Sequence, residues 1–361
     1  MSRARVVSMD TASERRMHRA ARIDDAVNRF RAAHARRRGY RPIVIPYVGY
    51  GSPTWVRVLA RVVLAAPPPA MPPRREPRVR GWRSFMAVPA NGVPVVAVIA
   101  GVEHVLHPDR GGVIDEVVDA TLPPGTHTIE LRPTESMGFT TAQVTVIGDE
   151  ETFGIVSDVD DTVMVTALPR PLLAAWNTFV LSEHARVPTP GMSVMYERVL
   201  VQHPGAPVLY LSTGAWNVAP ALRRFLTRNL FPTGPLLLTH WGPTHDRFFR
   251  NGFRHKVDTL ERLAREFPRI RWLLIGDDGQ HDETIYGGFA LAHPANVSGV
   301  AIRQLTASEA VLAGGRKKSD ARTSLSGIPW VYGHDGSHLL AELKRLGVVG
   351  SRTPEGGTGV P

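Results

Sequence analysis

The amino-acid sequence predicts an α/β protein whose largest part is a doubly wound parallel sheet, preceded by an N-terminal helix and a β-sandwich. Three observations support this prediction. The chain opens with an amphipathic, arginine-rich stretch, continues with short valine-rich runs between Pro/Gly turns, and from about residue 151 alternates short apolar runs with helical patterns. Such alternation is typical of a parallel sheet that is covered on both faces.

Composition limits the classes of function. The 361 residues include no cysteine, which excludes a disulfide framework, a thiolate metal site and a cysteine nucleophile. The formal net charge of +10 favours anionic partners such as phosphate esters, nucleic acid or an anionic membrane surface. Because we find neither a secretory signal nor an apolar run of about 18 residues, we expect a cytoplasmic protein.

The length predicts two domains with flanking segments. Four parts follow from the changes in composition along the chain. They are a basic helix at 1–41, the sandwich at 42–150, the α/β domain at 151–307 and a partly disordered C-terminal segment at 308–361.

The N-terminal helix is predicted by a candidate capping box, Thr11 with Glu14, and by Ile23, Val27 and Phe30 on one helical face. Its other face is rich in arginine. Two interpretations stay open. The apolar stripe docks on the protein itself, or the helix lies on an anionic membrane, where each basic residue contributes about 1 kcal/mol.

The sandwich is predicted from short runs rich in β-branched residues and bounded by proline or glycine. These runs are WVRVLARVV, VPVVAVIAG, GVIDEVVDATL, THTIELR and AQVTVIG. Between the first two, the proline-dense stretch APPPAMPPRREPRVRG predicts an extended, exposed loop. We find no catalytic constellation in this region.

Apolar runs after about Glu151 predict the strands of the parallel sheet. They are FGIVSD, VLYLST, LLLT, WLLIG and VSGVAIR. The clearest helix is KVDTLERLAREF, with apolar residues at helical spacing, and GIPWVYGHDGSHLLAELKRLG near the C-terminus predicts a turn and a helix. Ligands of such sheets bind beyond the carboxyl ends of the strands, which is where the polar clusters of this region fall.

The stretch GIVSDVDDTVMVT, residues 154–166, places Asp158 and Asp160 directly after a predicted strand. Two close carboxylates repel each other unless a cation or a proton intervenes, and Mg²⁺ prefers such hard oxygen ligands. Asp158 is suited to attack phosphorus and Asp160 to protonate the leaving alcohol, with Thr162 orienting Asp160. An acidic turn or a surface cation site is the alternative interpretation.

Other strand ends carry complementary groups. Ser212 and Thr213 end one strand and are suited to hold phosphoryl oxygens, although such residues also serve as turn formers. Asp277 follows another strand, with Asp278 beside it, and is positioned to complete a magnesium site opposite Asp158.

Two further residues complete the predicted site. Asp282 is expected to brace the metal ligands, while an acidic loop is the alternative. Lys256, at the predicted start of the helix KVDTLERLAREF, is our candidate for the cation that offsets charge on a transferring phosphoryl group. Most lysines at helix ends are simply solvated.

In order and spacing, these residues resemble the four motifs of the haloacid dehalogenase superfamily. The motifs are Asp158-x-Asp160-x-Thr162, Ser212, Lys256, and Gly276-Asp277 with Asp282. Because its second aspartate is present, the DxDxT motif resembles that of the phosphatase branch of the superfamily and not that of the dehalogenases. Over roughly residues 151 to 307, the segments SDVDDTV, YLSTGAWN, GPLLLTHWG, RHKVDTLERLAREFP and LLIGDDGQHDETIY resemble the catalytic domain of the actin-patch-associated phosphatidate phosphatases and their bacterial relatives.

The resemblance implies a haloacid-dehalogenase-like fold and Mg²⁺-dependent hydrolysis of phosphatidate to diacylglycerol. It implies that Asp158 is the nucleophile, that Asp160 is general acid and then base, and that Ser212 and Lys256 bind phosphate. It implies a metal bound by Asp158, Asp277 and the backbone carbonyl of Asp160. The extensions that tie fungal members to the actin machinery are absent, so no actin partner is expected.

The substrate pocket is predicted more loosely. The segment between Thr162 and Ser212 is long enough for a helical cover over the site, with apolar side chains that meet either an acyl chain or the protein's own core. They are Leu172, Leu173, Trp176, Phe179 and Val180. Candidates for the entrance are Trp216, His240, Trp241, Arg254 and His255.

Two rival functions stay open. The protein is a phosphatase of the same chemistry acting on soluble phosphomonoesters or nucleic-acid ends, or it is a non-catalytic module that binds a membrane or nucleic acid. The partners that we expect are a phosphorylated lipid substrate and an anionic membrane, to whose inner face the protein would bind peripherally. No specific nucleic acid is expected.

Overall fold

The computed structural model describes most of the chain. It covers residues 27–66, 87–136, 138–165, 187–239, 245–279, 281–306, 309 and 327–350, and of residues 245–251 only the backbone. These residues divide into two compact units. The first lies within Met1–Tyr47, Arg57–Val118 and Thr128–Gln143, and the second within Val48–Val56, Asp119–His127 and Val144–Pro361.

The N-terminal region is rich in β-strands and begins with helical residues 27–37. The strands are β1 (Arg41–Pro46), β2 (Gly49–Ser52), β3 (Trp55–Ala65), β4 (Val88–Pro89), β5 (Val95–Ile99), β6 (Val102–Leu106), β7 (Val113–Asp119), β8 (Gly125–Pro133) and β9 (Thr140–Val146). In the first unit β1 pairs with β3, and β5 pairs with β6 and β8, all antiparallel. Its core includes buried valines, isoleucines and leucines, and burial alternates along β5 but is nearly continuous along β3.

The five runs predicted as strands in this region are confirmed as β3, β5, β7, β8 and β9. Sequence analysis missed β2, because GYGS lacks the apolar alternation of a strand, and this strand pairs in parallel with β9. The region is therefore not purely antiparallel. Its division into two packed sheets stays a prediction, and the proline-dense loop, like the capping box, lies outside the described residues.

The rest of the second unit combines a parallel sheet with helices. Its strands are β10 (Phe153–Asp158), β11 (Met164–Val165), β12 (Val187–Pro188), β13 (Val208–Ala215), β14 (Leu236–Thr239), β15 (Arg271–Asp277), β16 (Val297–Arg303) and β17 (Trp330–Gly333). Its α-helices are α1 (Met192–Gln202), α2 (Ala219–Arg228), α3 (His245–Glu266), α4 (Asp282–Ala292) and α5 (Gly336–Arg345).

The sheet has the order β14-β13-β10-β15-β16-β17, and every neighbouring pair is parallel. The predicted parallel sheet is thus confirmed, with β17 as an additional edge strand that sequence analysis took for a turn. The doubly wound arrangement, in which helices cover both faces of this sheet, stays a prediction. Because β10, β13 and β15 are adjacent and parallel, their carboxyl ends lie at one edge, with Asp158 paired to Leu211 in register.

Helix α3 packs on β13 and β14 through an apolar face that includes the buried Leu260 and Leu263. It starts at His245, so Lys256 lies within this helix and not at its start as predicted. Gly252 lies within this helix. A Cβ at this position would approach Cγ2 of Thr213 to 2.9 Å, so the close packing of α3 on β13 favours glycine. No helix among the described residues is long and apolar enough to cross a membrane.

Candidate active site

Five polar residues converge at the carboxyl edge of the parallel sheet, and all are buried. Asp158 ends β10, Ser212 lies in β13 and Asp277 ends β15. Lys256 comes from α3, and Asp282 is the first residue of α4. Two parallel strand ends, a residue within β13, the interior of α3 and the start of α4 thus bring these five side chains to one place.

Lys256 lies between two carboxylates. Its Nζ is 2.8 Å from Oδ1 of Asp158 and 2.5 Å from Oδ1 of Asp282, and its side chain is only 3% exposed. Burial by itself lowers the pKa of Lys256, but the two carboxylates raise it above its usual value. The ammonium group therefore stays charged, and its hydrogen bonds orient the Asp158 carboxylate.

The carboxylate oxygens of Asp158, Asp277 and Asp282 lie within 4.8 Å of one another. Oδ1 of Asp277 accepts a hydrogen bond from the backbone of Gly279 at 2.6 Å, whereas its buried Oδ2 has no hydrogen-bond partner among the described residues. The three carboxylates carry more negative charge than the single positive charge of Lys256 offsets. Burying a carboxylate oxygen without a hydrogen-bond partner also costs free energy. A hard divalent cation fits this donor set.

Burial and mutual repulsion act on these carboxylates. Burial raises the pKa of Asp158 well above its usual range, the charge of Lys256 opposes this, and Asp282 and Asp160 add to the increase. Burial, then Asp282 and Asp158, raise the pKa of Asp277 in the same way. A cation bound among them would favour the ionised forms, because it supplies the missing positive charge.

Asp160 and Thr162 lie beside this cluster. Ser212 Oγ donates to Oδ2 of Asp160 at 3.0 Å and accepts from the backbone of Gly214 at 2.9 Å. Thr162 was predicted to orient Asp160, but its Oγ1 lies 3.3 Å from Oδ2 of Asp158. Thr162 thus contacts Asp158 and not Asp160, whereas Ser212, predicted to hold a phosphoryl oxygen, contacts Asp160.

The three clustered carboxylates differ from the predicted ligand set. Asp282, predicted only as a brace, joins Asp158 and Asp277, whereas the Asp160 side chain faces Ser212. Coordination by the backbone carbonyl of Asp160 stays a prediction. Sequence spacing could not separate these roles because Asp282 reaches the strand ends only through the position of α4.

Thr213 and Asp278 lie next to the site rather than in the carboxylate cluster. The carbonyl of Thr213 accepts a hydrogen bond from Oγ1 of Thr239 at 3.0 Å, which ties β13 to β14. Oδ1 of half-buried Asp278 accepts from the backbone of Leu305 at 2.9 Å. The first contact joins two strands, and the second joins the segments that follow β15 and β16.

The pocket predictions are mostly untested. The five apolar residues proposed to cover the site, and both His240 and Trp241, lie outside the described residues. Trp216 is buried, Arg254 is exposed and pairs with Asp258 at 3.4 Å, and the ring of His255 lies 3.3 Å from the carbonyl of Leu237.

Sequence analysis missed two buried groups that support the site. Ser157 Oγ donates to the carbonyl of Asp158 at 2.6 Å and also contacts the hydroxyl of Tyr196. Arg303 ends β16 beside Asp277 and reaches the turn after Asp158. The sequence carried a signal for both. Ser157 is a polar residue within an otherwise apolar strand, and Arg303 is a charged residue at the end of one.

Comparison with known proteins agrees with this site. The family described as "Phosphatidate phosphatase APP1, catalytic domain" matches residues 153–304. Phosphatidate phosphatase APP1 of Saccharomyces cerevisiae is 24% identical over 153 residues, which are 42% of this chain and 25% of that protein. An uncharacterized protein of Schizosaccharomyces pombe is 25% identical over 158 residues, 44% of this chain and 26% of that protein.

This chain therefore aligns with about a quarter of the length of these two fungal relatives. A solved carbohydrate acetylesterase from Xanthomonas citri superposes with a TM-score of 0.28 at 10% identity, covering 73% of this chain and 68% of that one, which is too low to support an argument. The family match spans all five converging residues. Residues 153–304 are therefore similar to the catalytic domain of phosphatidate phosphatase APP1.

Proposed function

We propose that this protein is a phosphatase of the haloacid dehalogenase type that hydrolyses phosphatidate to diacylglycerol and phosphate. The observation that carries the proposal is the Asp158 carboxylate, held by Lys256 and gathered with Asp277 and Asp282 at the carboxyl edge of the sheet. The family match of residues 153–304 supports the choice of substrate.

In the first half-reaction, an oxygen of Asp158 attacks phosphorus while the bond from phosphorus to the glycerol oxygen breaks. Asp160 donates its proton to that leaving oxygen, so the alcohol departs neutral. Lys256 offsets the negative charge near the phosphoryl group, and Ser212 holds Asp160 through the 3.0 Å hydrogen bond.

In the second half-reaction, Asp160 removes a proton from water as the water oxygen attacks phosphorus. The bond from phosphorus to the Asp158 oxygen then breaks, which releases phosphate and restores both carboxyl groups. Asp158, Asp277 and Asp282 would hold the cation. Mg²⁺, when bound, would supply positive charge that stabilises the transferring phosphoryl group.

Phosphate release from phosphatidate in mixed micelles tests this function. We expect activity that requires Mg²⁺, a loss of at least about 10³-fold in Asp158→Asn, and a loss of about 10²- to 10⁴-fold in Asp160→Asn. Asp115→Asn is the matched control, because Asp115 pairs with Arg57 in the first unit. Full activity of Asp158→Asn would contradict the mechanism.

The same assay separates the rivals. Equal turnover of a short soluble phosphomonoester and of phosphatidate would favour the soluble-substrate phosphatase. No phosphate release from either substrate, with lipid binding retained, would favour the non-catalytic module.

One exposed surface supports contact with a membrane. In helical residues 27–37 the side chains of Val27 and Phe30 are 48% and 75% exposed, whereas Ala35 on the opposite side is buried. Exposed Arg29, Arg31 and other arginines flank the apolar pair, and residues 27–38 contain no acidic residue. A basic helix with an outward aromatic side chain fits an anionic bilayer.

We therefore propose that this helix binds peripherally to anionic bilayers, at the inner face of the cell membrane. Asp158→Asn protein should sediment with vesicles that contain phosphatidylglycerol more than with phosphatidylcholine alone, and less as salt rises. Adding Phe30→Ser should reduce this binding, whereas Phe139→Ser, which changes another exposed aromatic residue, should not. Equal binding of both variants would overturn the proposal, as would competition by nucleic acid that does not depend on Phe30.

A further inference from the structure

Arg303 is a buried arginine at the carboxyl edge of the parallel sheet. It is 3% exposed and ends β16, where its backbone is in register with Asp277. Its carbonyl accepts a hydrogen bond from the backbone of Asp278 at 3.0 Å. A buried guanidinium is costly unless its donors are satisfied, so its partners indicate what its position achieves.

The guanidinium bridges three segments of the chain. Nη1 donates to the carbonyl of Asp161 at 2.7 Å, Nε donates to the carbonyl of His334 at 3.3 Å, and Nη2 pairs with Oε1 of Glu309 at 2.7 Å. Two of the three partners are backbone carbonyls in loops. The charge is balanced by Glu309 and not by a carboxylate of the clustered site.

The contact with Asp161 falls where the backbone is unusual. Asp161 is buried and has a φ of 58°, in the left-handed region that non-glycine residues seldom occupy. Such a conformation persists only when its surroundings hold it. Asp161 directly follows Asp160, so a change in the backbone of Asp161 would shift the peptide plane that joins the two residues, and with it the position of Asp160.

We propose that Arg303 is a positioning residue for the proposed reaction. By holding the carbonyl of Asp161, it keeps the turn after β10 in the conformation that presents Asp160 to Ser212. The effect on turnover rests on the proposed function, whereas the effect on the turn does not.

Kinetics of Arg303→Met test the effect on turnover. We expect kcat to fall about 10- to 100-fold while KM changes less than about twofold, since the substrate contacts stay in place. Arg303→Lys should recover part of the loss, because an ammonium can still donate to one carbonyl. Arg345→Met is the control, since Arg345 pairs with Glu342 on the exposed face of α5.

A double substitution separates positioning from general support of the fold. Glycine adopts the left-handed conformation without strain, so the turn should depend less on Arg303 in Asp161→Gly protein. We expect the fold-loss of kcat caused by Arg303→Met to be at least about threefold smaller in the Asp161→Gly background than in the wild-type background. The same fold-loss in both backgrounds, or an unchanged kcat of Arg303→Met, would overturn the proposal.

Hydrogen exchange of the turn provides a measurement that needs no activity. Amide deuterium uptake in peptides covering residues 159–165 should rise in Arg303→Met and not in Arg345→Met. If wild type releases no phosphate, the proposed function fails while this measurement still tests the contact. Unchanged uptake in Arg303→Met would show that Arg303 does not hold the turn.

Discussion

Lys256 and Asp158 are 98 positions apart in the chain, and yet Nζ of one lies 2.8 Å from Oδ1 of the other in a buried contact. The contact joins the middle of α3 to the end of β10. It therefore couples the stability of the fold to the geometry of the site, and substitutions here should affect both.

Lys256→Met should destabilise the protein by about 3–5 kcal/mol, because it leaves the buried carboxylates of Asp158 and Asp282 without their cation. The free energy of unfolding in urea, followed by circular dichroism in the presence of a chelator, measures this. Lys344→Met, at an exposed position in α5, should change stability by less than about 0.5 kcal/mol. Similar losses in both variants would contradict the structural role of Lys256.

Gly276→Ala should reduce both stability and activity. A Cβ at this position would lie 2.5 Å from Oδ2 of Asp282 and 2.7 Å from the ring of Tyr286, so both must move. Gly288→Ala is the matched control in α4, where a Cβ meets nothing within 4 Å, and it should be neutral or stabilise by about 1 kcal/mol. Thermal unfolding and phosphate release distinguish the two, and an inactive Gly288→Ala would contradict the prediction.

Ser212→Ala should lower kcat about 10- to 100-fold, because it removes the hydroxyl that donates to Asp160. Steady-state kinetics on phosphatidate micelles measure the change. Ser298→Ala removes a buried hydroxyl that has no hydrogen-bond partner among the described residues, and it should leave kcat unchanged. Wild-type turnover in Ser212→Ala would mean that Asp160 needs no such support.

If the clustered carboxylates hold Mg²⁺ as proposed, the metal should stabilise the wild-type protein by about 2.7 kcal/mol at a concentration 100 times its Kd, because it would bind the folded cluster and not the unfolded chain. Urea unfolding with and without the metal measures this difference. The stabilisation should be lost in Asp277→Asn, which removes a clustered carboxylate, and kept in Asp335→Asn, which changes the N-cap residue of α5 outside the cluster. Equal stabilisation of both variants would place the cation elsewhere.

Stability should depend on pH through the N-cap of α5. Burial raises the pKa of Asp335, but the hydrogen bonds from the backbone and ring of His338 outweigh this effect and hold the pKa below 3.8. The group's charge therefore stabilises the fold above pH 3.8, and this contribution is lost as the pH falls through the lower folded value. Asp335→Ala should cost about 1 kcal/mol at neutral pH.

Unfolding of the wild type, Asp335→Ala and Asp335→Asn over a pH series measures this contribution. Asparagine keeps a capping oxygen but does not titrate, so the gap between Asp335→Asn and wild type should close as the pH falls below 3.8. A gap that stays constant would mean that the charge contributes nothing.

The strands that deliver the site were predictable because their signal is local. An apolar run between turn residues predicts a strand whatever its neighbours, so Phe153–Asp158 and Val297–Arg303 were found with correct bounds. Where that signal was weak, prediction failed. GYGS forms β2 because β9 pairs with it, which no local pattern encodes, whereas WVYG contains residues that favour strands but is too short to be distinguished from a turn.

The sequence by itself determined which acidic groups the chain can bring to the carboxyl edge of the sheet, since two aspartates after one strand and a third after another limit the options. Only the tertiary structure decided the pairing of these groups. It placed Asp282 with Asp158 and Asp277, turned Asp160 toward Ser212, and brought Arg303 to the backbone of the turn. Residue types follow from the chain alone, whereas side-chain partners depend on how helices and strands far apart in sequence pack together.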